Sequence, residues 1–403
     1  SYINGKFENV SEFTINNDGY VMTPGVLVAG SYRLEEYSLL TDHYMKNPSG
    51  QYDFVIDKDT IFETYVDEEG NEADAPLFTV RVENTPYYGQ LEVNKKGEFY
   101  ELVDGAYEKQ EVLMEGIEFG IYAAEDICTN DNQNTILYHK DELVYTITTD
   151  KNGYAASNCD LPLGAYYLKE QNCPDEYEPC EDVAFEISTD GDIRTVDNAD
   201  GTVLKYISVK KDVTNYKKIE IGTSATDKNT GLQSAFAGKD ATIVDDVSMK
   251  NLLVGHTYRL EGKLYDTKTG EPVVIAGKEV TAEKEFTATE GVMTVSLEYK
   301  LDAESIKGKK TVVFEELYEG EKKKASHCLI DEKSQHIDFA QIKTTFLDSE
   351  SMDHDSSSAN QVVLTDYVDY KGLVSGKSYT LTAVIMDKET EKPLLNGMLP
   401  VVS

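Results

Sequence analysis

Short runs of alternating apolar and polar residues, cut by turn-forming clusters, fill the chain. Phe78-Thr79-Val80-Arg81-Val82 and Leu91-Glu92-Val93-Asn94-Lys95 are typical. A period of two sends neighbouring side chains to opposite faces, so each run predicts a strand with one buried side. Between the runs lie Asn17-Asp18-Gly19, Lys151-Asn152-Gly153 and Lys268-Thr269-Gly270, built from residues that tolerate left-handed backbone. Stretches with a 3.6-residue period are missing, which limits helices to short inserts. The pattern predicts an all-β chain of antiparallel sandwich or barrel domains.

At 403 residues the chain exceeds what one core can serve, and internal repeats place the divisions. Asn17-Asp18-Gly19-Tyr20 followed by Gly30-Ser31-Tyr32-Arg33-Leu34-Glu35-Glu36 recurs as Lys151-Asn152-Gly153-Tyr154 followed by Gly164-Ala165-Tyr166-Tyr167-Leu168-Lys169-Glu170. In each copy 17 residues separate the first glycine from the last glutamate, Gly19 from Glu36 and Gly153 from Glu170. Both copies later end in a strand closing on asparagine, at Asn84 and Asn215. A second repeat matches Ile221-Gly222-Thr223 to Ile342-Lys343-Thr344, Val244-Asp245 to Thr365-Asp366, and Gly255-His256-Thr257-Tyr258 to Gly376-Lys377-Ser378-Tyr379. Its offset is a constant 121 residues, as from Thr223 to Thr344. Four domains follow: 1–87, lacking its first strand; 88–217, complete; 218–341, of a second type; and 342–403, a truncated copy of that type. The joints are short and free of Gly/Ser tracts, so the expected arrangement is an elongated, semi-rigid rod.

Charge narrows the partners. Lys and Arg number 38 against 74 Asp and Glu, a net charge of −36. Such a surface repels nucleic acid and anionic membrane. No run of about 18 apolar residues occurs, so no membrane insertion is expected. Targeting and anchoring segments are expected to lie outside these residues. The five cysteines, Cys128, Cys159, Cys173, Cys180 and Cys328, are odd in number and lack C-x-x-C spacing, which argues against a zinc site. They read either as half-buried thiols or as one or two disulfides among the first four. The Asp-rich turns lack a calcium-loop pattern, and neither metal nor other cofactor is expected.

Parity along the strands picks out polar residues aimed inward. Lys95 shares a face with Leu91 and Val93, Glu170 with Tyr166 and Leu168, and Asn215 with Val213. Buried together they must satisfy one another. Burial pushes lysine and glutamate toward their neutral forms. A neutral amine is a nucleophile, and a protonated carboxyl polarises an amide carbonyl. Attack on the Asn215 carboxamide would expel ammonia and leave an isopeptide bond. The ordinary alternative is a lysine snorkelling at the sheet rim in an ion pair with Glu170. In the second domain type Thr223 shares a face with Ile219 and Ile221, Asp245 with Ile243 and Val247, and Gln335 with Ile337 and Phe339. Glu315 and His327 complete a set in which an acid or imidazole could activate a hydroxyl toward a carboxamide, giving an internal ester. The ordinary alternative, which spacing alone favours, is a strand threonine, a surface histidine and acids on a very acidic protein. Thr226 is the neighbouring alternative, with the opposite parity.

Two resemblances bear on these sets. Residues 89–218 resemble the pilin-type, collagen-adhesin B-type (SpaA-like) domain of Gram-positive surface proteins. The resemblance is carried by the Lys-ended first strand, Gly116-Ile117-Glu118-Phe119-Gly120-Ile121-Tyr122, Gly164-x-Tyr166-x-Leu168-x-Glu170 with Pro174 and Tyr177, and the final Asn215. It implies that Lys95 and Asn215 are cross-linked with Glu170 assisting. Residues 1–87 resemble the later part of the same domain, with Glu36 and Asn84 at matching positions. Residues 219–341 resemble the VaFE-repeat, ester-bond-forming domain of Gram-positive adhesins through Thr223-Ser224-Ala225, Val313-Phe314-Glu315, His327 and Gln335. That resemblance implies a Thr223–Gln335 ester assisted by Asp245, Glu315 and His327. The copy from 342 keeps Thr344 and Asp366 without the other members.

Together the resemblances imply tandem immunoglobulin-like/prealbumin-like β-sandwiches forming a stalk of a cell-wall-anchored adhesin or pilus-like protein outside a Gram-positive cell. The chemistry is expected to run once, within the chain, rather than as enzymatic turnover. A second reading makes one unit a binding module for a host extracellular-matrix protein or glycan, with Asp126–Glu142 or Leu39–Gln51 as its face.

Overall fold

A computed structural model describes residues 2–3, 6–7, 11–16, 19–23, 26–39, 44–45, 50–66, 72–129, 135–197, 199, 203–356, 362–396 and 399–400. Asn17 and Asp18 of the first expected turn, and parts of the two expected binding inserts, lie outside this set. Among the described residues strands dominate, and the only helical elements are the 3-10 turns Ala303–Ile306 and Lys333–Gln335. The chain forms two compact units, residues 1–99 with 110–217 and residues 100–109 with 218–403. Apart from 100–109, the first takes in the expected divisions 1–87 and 88–217, and the second 218–341 and 342–403.

In the first unit, Gly89–Val103 (the lysine strand) lies beside Val203–Lys217 (the asparagine strand) in a six-stranded sheet. The two run parallel, with Lys95 opposite Val213 and Gly97 opposite Asn215. Tyr154–Ala156, Tyr177–Glu178 and Asp192–Asp197 join that sheet antiparallel. The facing antiparallel sheet comprises Leu143–Thr148, Glu118–Ala123, Gly164–Glu170 and Val183–Ile187. Period-two side chains from both sheets form the core: Leu91, Val93 and Val213 from one, Phe119, Ile121, Tyr166 and Phe185 from the other. Each such large side chain contributes about 1.5–3 kcal/mol by leaving water. Earlier in the chain, Gly30–Glu35 pairs antiparallel with Gln51–Ile56.

In the second unit a three-stranded antiparallel sheet holds Glu220–Asp227 (the threonine strand), Ala241–Lys250 (the aspartate strand) and Val292–Leu301. A seven-stranded sheet contains Thr257–Asp266, Lys310–Glu319, Lys322–His327 and His336–Asp348. One core joins them, with Ile243, Val247 and Leu297 from the first sheet and Leu260, Val313, Leu317 and Phe339 from the second. His336–Asp348 continues past the expected boundary at 341 and pairs with Leu364–Lys371. An extended strand can serve two sheets in succession, because its hydrogen-bonding groups renew at every residue. The repeat keeps its register: Thr344 lies opposite Val368 as Thr223 lies opposite Val247.

Candidate functional sites

The first site lies where the two parallel strands meet the end of Gly164–Glu170. Alternation turns Lys95 inward, and it is buried to 1 % exposure, while Asn94 is exposed. Register places Glu170 opposite Phe119, over the core. Lys95 Nζ lies 2.5 Å from Asn215 Oδ1 and 3.1 Å from Glu170 Oε1. Asn215 Nδ2 donates to the same Glu170 oxygen at 2.7 Å. The other oxygen, Oε2, accepts from the Cys180 backbone N–H at 3.0 Å. The Phe119 ring centroid stands 5.3 Å from the amine. Glu170 thus touches both nitrogens, the lysine amine and the carboxamide nitrogen of Asn215. In a dry pocket it can take a proton from the amine and hand one to the leaving amide nitrogen. Lys96 points outward to Glu98 at 3.0 Å and Glu111 at 2.8 Å, and those carboxylates raise its pKa.

Two participants carried no readable signal in the sequence. Cys173 Sγ lies 3.3 Å from Asn215 Nδ2 and accepts from it. Cys180 is half-buried beside Glu170, and desolvation pushes its thiol up to about 11. All five cysteines are free thiols in the structure. Nothing about their spacing pointed to the triad, because the Gln171–Asp182 connection brings them there only once folded.

The earlier repeat brings its glutamate and asparagine together in the same way. Asn84 Nδ2 donates to Glu36 Oε1 at 2.8 Å. Asn84 Oδ1 and Glu36 Oε2 are buried with no hydrogen-bond partner among the described residues. The frame also repeats: Tyr32 Oη donates to Val28 O at 2.6 Å and Tyr166 Oη to Pro162 O at 2.8 Å. Their rings stack on Phe54 and Phe185 at 5.5 and 5.3 Å.

The second site lies between the sheets of the second unit. Gln335 sits in the turn Lys333–Gln335 rather than in the strand that parity suggested, and is nevertheless fully buried. The turn is stabilised by Glu332, whose carboxylate accepts from Ser334 N. Gln335 Nε2 donates to Glu315 Oε1 at 2.6 Å. His327 Nδ1 lies 3.0 Å from Gln335 Oε1 and 3.6 Å from Glu315 Oε2. Bonded to a carbonyl, that nitrogen must carry the proton, so the imidazole polarises the carboxamide. His327 is half-buried and its neighbour Cys328 exposed, as strand alternation requires. Thr223 Oγ1 is buried with no partner among the described residues, and Asp245 stands diagonally across the ladder on the same face.

Burial raises the pKa of both Asp245 and Glu315. The Asp245 charge pushes Glu315 further, to about 10, while the hydrogen bond with Glu315 offsets part of the rise at Asp245. Two bare carboxylates so placed would repel each other. With one proton shared between them the repulsion is relieved, and one negative charge remains to act as base. In the copy, Thr344 is exposed, while Asp366 Oδ1 is buried without a partner among the described residues. Thr226 lies on the opposite face of its strand from Thr223, opposite Val244.

Comparisons with known proteins follow the same division. Residues 219–339 and 340–397 match the T-Q ester bond containing domain, and residues 107–202 match the SpaA prealbumin-like fold domain. No curated protein matches the chain. Solved structures that it resembles include a variant of the major pilin subunit of Bacillus cereus, at 14% identity over 78% of this chain and 95% of that one, with a TM-score of 0.32. A Mobiluncus mulieris adhesin containing intramolecular disulfide, isopeptide and ester cross-links matches at 15% identity. That match covers 39% of this chain and 75% of the other, with a TM-score of 0.27. The Corynebacterium diphtheriae major pilin SpaA matches at 13% identity over 64% and 70%, also with a TM-score of 0.27.

Proposed function

Because the chain carries T-Q ester bond containing domains and a SpaA prealbumin-like fold domain, we propose that it is a structural segment of a Gram-positive surface adhesin or pilus. In this reading it cross-links itself twice: Lys95 to Asn215 by an isopeptide bond, and Thr223 to Gln335 by an ester. The observation that carries the proposal is the dry contact of Lys95 with the Asn215 carboxamide, bridged by Glu170. A solvated ion pair would have no reason to bury all three groups, since desolvating them costs several kcal/mol.

In the first site the Lys95 nitrogen bonds to Asn215 Cγ, the Cγ–Nδ2 bond breaks, and ammonia leaves with protons relayed by Glu170. In the second, Thr223 Oγ1 bonds to Gln335 Cδ as its proton passes to the Asp245–Glu315 pair. Glu315, in contact with Gln335 Nε2, hands that proton on to the nitrogen, the Cδ–Nε2 bond breaks and ammonia leaves. Folding supplies the proximity, worth up to about 7–11 kcal/mol of barrier in well-aligned cases. Each bond joins an early strand of its domain to its late part, the asparagine strand in one and the turn before His336–Asp348 in the other, so tension along the chain would run through covalent links. Neither link depends on redox state.

Intact mass tests the proposal. The purified chain should weigh two ammonias less than its sequence, with one restored by Glu170→Ala and one by Thr223→Ala. A chain of unmodified mass, yielding no branched peptide on digestion, would refute it.

A further inference from the structure

Tyr299 sits on Val292–Leu301 with its side chain 1 % exposed, and its hydroxyl finds no partner among the described residues. Other core tyrosines are matched: Tyr258 Oη accepts from Leu253 N, and Tyr166 Oη donates to Pro162 O. Ladder register sets Tyr299 opposite Ile243, while Asp245, two residues on along the same face, lies opposite Leu297. On the other sheet Gly262 stands directly opposite Glu315. A side chain on Gly262 would overlap the Tyr299 hydroxyl and ring. The missing Cβ is therefore what admits the phenol beside the glutamate. Phenylalanine would fill the same space without burying an unmet hydroxyl, so stability alone gives no reason for tyrosine here.

We propose that Tyr299 is a positioning residue of the ester-forming site, its hydroxyl donating to the Asp245–Glu315 pair when that pair carries its single negative charge. This rests on the reading of Thr223 and Gln335 as ester partners. The groups facing the pair are Asp245 from the aspartate strand, Glu315 from Lys310–Glu319, His327 from Lys322–His327, and the Tyr299 phenol. Asp246 and Cys328 lie next to them and are felt through space. Of these, the phenol and the imidazole can donate to the pair. His327 is engaged with the Gln335 carbonyl, and the Gln335 amide already donates to Glu315 Oε1, which leaves the other carboxyl oxygens to the phenol. The phenol keeps its proton throughout. It holds the pair singly ionised in a water-poor interior, ready to accept the Thr223 proton as Oγ1 bonds to Gln335 Cδ and ammonia leaves.

The test compares wild type with Tyr299→Phe, each recovered unfolded and unlinked in urea from inclusion bodies and refolded by dilution. Loss of ammonia from the 219–341 region is timed by mass from about pH 6 to about pH 9. Tyr299→Phe should link about ten-fold more slowly near neutrality, as expected for loss of one charge-assisted donor. The midpoint of its pH–rate profile should move upward, because the pair becomes harder to ionise. In a Thr223→Ala background, which cannot link, Tyr299→Phe should leave the urea midpoint unchanged or raised. An unchanged rate and profile would overturn the role. So would lower stability with an unmoved pH midpoint, which marks packing alone. Should Tyr299→Phe not refold, Gly262→Ala displaces the hydroxyl instead and must move the midpoint the same way, or the role is wrong. A wild type that keeps its ammonia sinks the ester reading and this role together. A wild type that loses it while Tyr299→Phe behaves identically sinks only the role.

Discussion

Lys95, Glu170 and Asn215 show how much a few buried polar atoms demand. Removing one member of a buried ion pair leaves a charge that nothing compensates. In an Asn215→Ala background, which cannot link, adding Glu170→Ala should therefore cost about 3–5 kcal/mol, read as a lower urea midpoint. An unchanged midpoint would mean that the amine reaches water. Glu315 makes the opposite demand. Burial and Asp245 raise it from 4.5 to about 10 in the folded chain. The native state then holds a proton that the unfolded chain releases above its ordinary carboxyl pKa, so stability is greatest below that value and falls as pH rises toward the folded one. In Thr223→Ala, urea unfolding of the second unit should show declining stability from about pH 4.5 toward about pH 10. Glu315→Gln should flatten that decline, and a profile rising over the same interval would contradict the assignment.

At the scale of elements, a turn holds the backbone of Lys95 in place. The Lys95 N–H donates to Gly153 O at 2.7 Å, so the lysine strand is pinned to the turn after Asp150. Asp150 Oδ1 closes that turn by accepting from Asn152 N at 2.8 Å and Tyr154 N at 3.0 Å, which lowers its pKa. Gly153 has φ +67°, and a Cβ there would overlap the Lys95 carbonyl. Gly153→Ala should destabilise the first unit by about 1–3 kcal/mol and slow isopeptide formation, since it displaces the nucleophile's own backbone. Melting temperature and the fraction linked at harvest measure both effects. A variant as stable and as fully linked as wild type would show that the turn is only a connector. Parallel pairing of the lysine and asparagine strands is the other decisive feature. It brings residues 120 apart in sequence into contact at one end of a sheet.

For the whole molecule, the proposed links bear on how it answers force. Pulled from its ends, the linked first unit should not release the residues between Lys95 and Asn215. Glu170→Ala should add that segment, a sequence separation of 120 and about 400 Å of extended chain. Single-molecule extension with and without reductant measures this. An added length that appears only under reducing conditions would point to disulfides instead. The formal net charge of −36 makes the chain as a whole repel polyanions. Among the described residues no helix is long and apolar enough to cross a membrane.

Period-two alternation by itself determined that strands dominate the described residues and that Lys95, Thr223 and Asp245 share faces with core side chains, because the pleat sends every second side chain to the same face. The repeat offsets likewise set Glu36 with Asn84 and Thr344 with Asp366, since copied sequence preserves register. Pattern could not show that Lys95 and Asn215 stand on adjacent parallel strands, or that Gln335 reaches its site from a 3-10 turn. Nor could it show that Cys173, Cys180 and Tyr299 border the two buried polar clusters. Those placements depend on which strands pair and which connections fold over them, and long-range packing decides both. Local propensity carries the period of a strand but not the identity of its neighbour.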